Sequence, residues 1–160
     1  MISKNHEMDE IDREIIEILQ KDPNVSHTKI ARKVHRSQPT IGHRIKKLEN
    51  TGVLQYHVGL NLKSINLYYA KVAIQTKNPD LVIQIVKDCP HIIHALELSG
   101  RNNFEIIITS KHLKDLDKIV NFHFRNNPEV KKVKMEIILD IFNDFILPIS
   151  LTTNICKCTL

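Results

Sequence analysis

The hydrophobic period changes once along this chain of 160 residues, and that change limits what each half can fold into. Up to Gly52, apolar residues recur three and four apart, the spacing of helices. From Leu67 onward they alternate, the spacing of strands, around two helical stretches. In the first half, Ile11, Ile15, Ile18 and Leu19 share one face, with Asp9 as N-cap and Asp22-Pro23-Asn24 as the stop. Ser26 caps a second, short helix with Ile30, Ala31 and Val34 as its stripe, and His35-Arg36 is the connection. Ser37 starts a third, striped by Ile41, Ile45 and Leu48, which ends at Thr51-Gly52, where glycine supplies a left-handed C-cap. Two helices joined by so short a turn give a helix-turn-helix outline.

Val53 to Asn61 alternates weakly and reads as a strand leading out of this block. The second half predicts strands over Tyr68–Thr76, Ile92–Leu98, Phe104–Thr109 and Val130–Phe142. Helices are predicted after Asn78-Pro79-Asp80 and over Lys114–Arg125, the latter with Leu116, Ile119, Val120, His123 and Phe124 inward. The order β-α-β-β-α-β is the ferredoxin-like arrangement. The fold class is therefore α+β: an N-terminal helix-turn-helix, winged-helix-like domain, then a ferredoxin-like βαββαβ domain. Such a sheet has helices on one face only. Its second face is expected to carry Ile93, Ala95, Ile107 and Ile138, and a partner subunit is expected to cover it.

Composition removes several classes of function. With 42% apolar and 26% charged residues the chain can build a core, which excludes wholesale disorder. The longest apolar run, Leu67 to Ala70, is too short to span a bilayer, and the early residues turn acidic where a signal peptide is apolar, so a cytoplasmic protein is expected. Only 4 glycines occur, and neither G-x-G-x-x-G nor G-x-x-x-x-G-K is present. No nucleophile–base pair or paired carboxylates stand out, so neither an enzyme nor a cofactor is expected.

Cys89, Cys156 and Cys158 make no disulfide framework. Reduced thiols are expected, with an interchain disulfide as the alternative, and the Cys-Lys-Cys spacing is too tight for a C-x-x-C zinc knuckle. His91 and His94 fall on opposite faces of a predicted strand. His6, His27, His35, His43, His57, His112 and His123 are scattered, so no metal site is expected.

Charge is unevenly spread. Residues 1–25 carry a net of −4, while residues 26–57 carry seven basic side chains (Lys29, Arg32, Lys33, Arg36, Arg44, Lys46 and Lys47) against Glu49 alone. A basic stretch of this density within a helix-turn-helix outline suits a polyanion. With Ile41, Ile45 and Leu48 inward, the third helix turns Pro39, Thr40, His43, Lys46 and Lys47 outward, with Gln38 and Arg44 on the flanks. Gln38, Thr40 and His43, near the N-terminus, suit base edges. Arg44, Lys46 and Lys47 suit phosphates, and Ser37 begins the segment. The competing class is a metabolite-sensing or assembly module whose basic helices are incidental and read no sequence.

Met8-Asp9-Glu10-Ile11-Asp12-Arg13-Glu14-Ile15-Ile16, Leu19-Gln20-Lys21-Asp22, Ser26, Ile30-Ala31, Ser37, Arg44-Ile45 and Leu48-Glu49-x-x-Gly52-Val53-Leu54 together resemble the leucine-responsive regulator (Lrp/AsnC, feast/famine) family of archaea and bacteria. Pro90-x-Ile92 and Ser99-Gly100 carry the resemblance into the second half. It implies a transcription regulator that binds double-stranded DNA and forms homodimers through the C-terminal domain, which in many members assemble into tetramers or octamers and respond to amino acids. The implied organisation is a DNA-binding domain over 8–54, a linker strand or hinge over 55–66, a dimerisation and effector domain over 67–142, and a tail over 143–160, about which the resemblance says nothing. The family's turn between the second and third strands of that domain usually reads Thr/Ser-Gly-x-x-Asp and helps to form an effector pocket. Here it is Ser99-Gly100-Arg101-Asn102-Asn103. The amide of Asn103 weakens the case for an ammonium ligand and Arg101 favours an acidic one. A turn that only supports assembly is the alternative.

Overall fold

In the computed structural model, which describes residues 7–149 and 156–159, Asp9 opens the first helix with a reciprocal cap. Its Oδ1 accepts from the Asp12 N–H at 2.8 Å, and Asp12 Oδ2 accepts from the Asp9 N–H at 3.4 Å. Helix α1 spans Glu10–Lys21, α2 His27–Lys33 and α3 Gln38–Asn50, the last two capped by Ser26 and Ser37. The turn between α2 and α3 passes through His35, whose φ of 52° lies in the left-handed region, and Arg36 N–H closes it onto the Ala31 carbonyl. Gly52, at φ 72°, ends α3 in the same way. Ile15, Leu19, Ile30, Ala31, Val34, Ile41 and Ile45 form the core of this unit, which runs to Tyr56. Each large side chain among them contributes about 1.5–3 kcal/mol by leaving water.

The second unit begins at His57. Its sheet has the antiparallel order β3-β4-β2-β5, from β2 (Tyr68–Thr76), β3 (Ile92–Glu97), β4 (Phe104–Ser110) and β5 (Val130–Ile138). Helix α4 (Pro79–Asp88) joins β2 to β3. Helix α5 (Leu113–Val120), continued by a π-turn over Asn121–Arg125, joins β4 to β5. Ala70, Val72, Ile74, Ile106 and Ile108 meet Val82, Leu116, Ile119 and Phe124 in the core beneath the helices. This is the expected βαββαβ order.

The sequence reading needs four corrections. First, Val53 to Asn61 is not one strand: only β1 (Leu60–Asn61) is, pairing with β6 (Ile146–Leu147). Gly59 lets these backbones close, since a Cβ there would stand 2.8 Å from the Leu147 carbonyl carbon and oxygen. Two residues of the expected linker and two of the expected tail thus pair in one two-stranded ribbon, while 150–155 and 160 of the tail lie outside the described residues. Second, β5 stops at Ile138 rather than Phe142, because its neighbour β2 offers no further paired residue beyond Tyr69.

Third, Ala95 packs into the helix-covered core rather than lying on the open face. A bulge between Ile92 and His94 shifts the alternation, so that His94 and Leu96 take the open face beside Ile107 and Glu105. That face is also less apolar than expected: Lys71 stands between Glu136, at 3.3 Å, and Glu105, at 4.0 Å, and Lys134 pairs with Glu136 at 2.8 Å. Fourth, His123 and all three cysteines, scattered in sequence, converge to within 4.8 Å of one another.

Candidate nucleic-acid interface

The interface begins with what α3 buries. Ile41, Ile45 and Leu48 are almost wholly enclosed, so the 3.6-residue period leaves Pro39, Thr40, His43, Lys46 and Lys47 exposed on the opposite side, with Gln38 exposed on the flank. Ser37 Oγ accepts from the Thr40 N–H at 3.3 Å and shares a hydrogen bond with Thr40 Oγ1 at 2.7 Å. Both hydroxyls are thereby engaged in holding the start of the helix. Gln38 and His43 remain as outward groups with donor and acceptor capacity near the N-terminal end. Further along the helix, Lys46 and Lys47 present exposed cations. Lys29, Arg32 and Lys33 on α2 are exposed as well. These three belong to the basic run, and its charge density was the signal that could have added them to the candidate site.

Arg44 departs from its expected phosphate-facing role. Its Nη1 donates to Asp9 Oδ2 and to Asp12 Oδ1, each at 2.7 Å, so the guanidinium is committed inside the unit. Asp12 is a buried carboxylate at 5% exposure, and Arg44 supplies its countercharge. The Asp12 N–H and then Arg44 hold the Asp9 carboxyl below the usual carboxylate range, and the two carboxylates raise Arg44 in turn. Arg44 therefore fixes α3 against α1 and sets the orientation of the exposed row.

In the second unit, Ser99, Gly100, Arg101 and Asn102 form the exposed tip between β3 and β4, closed by Leu98 N–H donating to the Asn103 carbonyl at 2.8 Å. Asn103 turns away from that tip. Its Oδ1 accepts from Thr76 N–H at 2.9 Å and its Nδ2 donates to Thr76 O at 3.0 Å. This two-way pairing needs an amide, because a carboxylate has no proton for the Thr76 carbonyl.

A family model described as winged helix-turn-helix DNA-binding matches residues 8–55. An HTH-type transcriptional regulator of Pyrococcus horikoshii, PH1692, is 30% identical over 144 residues, covering 86% of this chain and 95% of the relative. LrpC of Bacillus subtilis is 27% identical over 118 residues, 71% of this chain and 82% of LrpC, and its solved structure superposes with a TM-score of 0.71 at 23% identity, covering 86% and 99%. The chain belongs to the Lrp/AsnC family of helix-turn-helix transcription regulators. The complex of the Neisseria meningitidis transcriptional regulator NMB0573 with L-Met shares the fold, with a TM-score of 0.72 at 21% identity over 89% of this chain and 97% of that one. As a member of the Lrp/AsnC family the chain is a DNA-binding regulator and not an enzyme. Among its described residues no helix is long and apolar enough to cross a membrane.

Proposed function

We propose that this Lrp/AsnC regulator reads duplex DNA in a sequence-specific manner with the exposed side of α3. The observation that carries the reading is the exposure of Gln38, His43, Lys46 and Lys47 on a helix whose apolar side is locked into the core. In the major groove Gln38 and His43 meet base edges, while Lys46 and Lys47 lie against phosphates and hold register. Gln38→Ala and His43→Ala should each reduce discrimination between operator and mismatched duplex by about 1–3 kcal/mol. Lys47→Ala should weaken binding to every sequence alike and flatten its salt dependence. Fluorescence anisotropy on paired duplexes measures both, and equal losses for all three variants on all duplexes would place the reading surface elsewhere.

The working unit in this reading is a homodimer, because one helix-turn-helix touches only a few base pairs. The open face of the sheet is the surface for it: Ile107 and Ile138 lie there half-buried, and Leu96 is 46% exposed. The charges of Lys71, Glu105 and Glu136 among them give an isologous contact its register. Tetramers or octamers would follow from further contacts between such dimers.

Effector sensing is supported by the L-Met complex of NMB0573 and by the exposed tip at 99–102. Because Asn103 is occupied with Thr76, the tip's charged group is Arg101, which suits the carboxylate end of a small molecule such as an amino acid. Thermal shift with single amino acids tests this: at least one should raise the melting temperature of the wild type and fail to do so in Arg101→Ala. No shift with any of them would leave the turn a support for assembly.

A further inference from the structure

All 3 cysteines of the chain meet one histidine, although the four residues come from three separate segments. Cys89 caps the C-terminal end of α4, His123 sits in the π-turn after α5, Cys156 immediately precedes the three-residue 3-10 turn Lys157–Thr159, and Cys158 is its middle residue. Cys89 Sγ is 4.0 Å from Cys158 Sγ, Cys156 Sγ is 3.6 Å from His123 Nε2, and the four ligand atoms all lie within 4.8 Å of one another.

We propose that Cys89, His123, Cys156 and Cys158 form a tetrahedral zinc site that pins the C-terminal segment to the helical layer of the second unit.

Geometry is the main support. Sulfurs at about 2.3 Å and a nitrogen at about 2.0–2.1 Å from zinc define a tetrahedron with edges of about 3.8 Å between sulfurs and about 3.6 Å from sulfur to nitrogen. The Cys89–Cys158 and Cys156–His123 separations match those edges, and all four ligand atoms fit within 4.8 Å of one another. Three thiolates with one imidazole are a soft set that favours zinc over magnesium or calcium. Four protein ligands leave no open position, so the site is structural rather than catalytic. The span holds one metal ion and is too small for an iron–sulfur cluster, which is ligated on two or more irons.

The surroundings hold the ligand-bearing segments in place as well. Arg125 donates to Asp117 and Asn121, and Asn121 donates to Asp117, which straps the π-turn that carries His123. Buried cysteines often serve only as small apolar side chains. That role does not explain the histidine nitrogen at the fourth vertex. Nor does it explain a three-residue 3-10 turn, too short to be stable alone, held against α5.

The test is metal analysis of the full-length chain purified under reducing conditions, followed by cobalt(II) substitution. The proposal expects one zinc per chain, and for the cobalt form the intense visible bands of tetrahedral coordination with a thiolate-to-cobalt charge-transfer band. Cys158→Ser and His123→Ala should each lower the bound zinc and weaken the cobalt bands, with the far-UV circular dichroism checking that each variant is folded. If a variant does not fold, the wild-type cobalt spectrum decides alone. A folded wild type with no zinc above background and a six-coordinate cobalt spectrum would overturn the proposal. So would a mass showing a Cys89–Cys158 disulfide in the reduced preparation, or folded variants that bind as much zinc as the wild type.

Discussion

Arg44→Ala should destabilise the N-terminal unit by about 3 kcal/mol, because it takes the guanidinium away from the buried Asp12 carboxylate and unties α3 from α1. A unit of some fifty residues has roughly 3–7 kcal/mol in all, so the loss is comparable with the whole. Native-state hydrogen exchange reads it locally: protection of the Ile15, Ile41 and Ile45 amides should fall on the order of a hundredfold. Adding Asp12→Ala to Arg44→Ala should restore part of that loss, since the buried carboxylate that Arg44 had faced is removed with it. The pH dependence carries a definite sign. Asp9 titrates below its ordinary value in the fold, so its contribution is present above that ordinary value and is lost as pH falls through the lowered one. The wild type should therefore lose its advantage over Arg44→Ala in acid. Unchanged protection in Arg44→Ala at neutral pH would reduce the ion pair to a surface contact of little consequence.

Ile107→Asp should abolish dimerisation while leaving the single subunit folded. Ile107 is on the open face of the sheet, paired across strands with Lys71 and His94, so a carboxylate there finds a cation nearby in the isolated chain. In an isologous interface the change occurs twice, and each carboxylate is removed from water against its symmetry mate. Association should weaken by at least about a thousandfold. Binding to a two-half-site operator should then fall by about 10²–10⁴, the advantage of linked contacts, although α3 is untouched. Sedimentation equilibrium and anisotropy measure the two effects together. A wild type that sediments as a monomer at micromolar concentration would remove the open face from the account.

The helical half of the fold could be read closely because its apolar stripes are local. Ile15, Ile41, Ile45 and Leu48 are buried where the 3.6-residue spacing puts them, and Asp9, Ser26 and Ser37 all act as caps. What escaped the sequence depends on groups distant in the chain. Arg44 sits on a flank of the helical wheel, and only the fold brings it to Asp9 and Asp12, 35 and 32 residues away. Met8-Asp9-Glu10-Ile11-Asp12 and Arg44-Ile45 thus carry the two sides of one ion-pair clamp. Ala95 was misplaced by a bulge, which inverts alternation without leaving a mark in the hydrophobic pattern. Asn103 looked like a weakened ligand because its pairing with the Thr76 backbone has no sequence signature. The Cys–His cluster was invisible for a similar reason: ligand spacing is a rule for neighbours, and these four residues lie on three segments.

Equilibrium binding of the full chain to a duplex selected from a random pool, against a shuffled duplex of the same composition, tests sequence-specific reading most directly. Both affinities should fall linearly in a double-logarithmic plot against salt, as counterion release requires, with the selected duplex held at least about a thousandfold more tightly at moderate salt. Equal affinity for the two duplexes at every salt concentration would contradict the account.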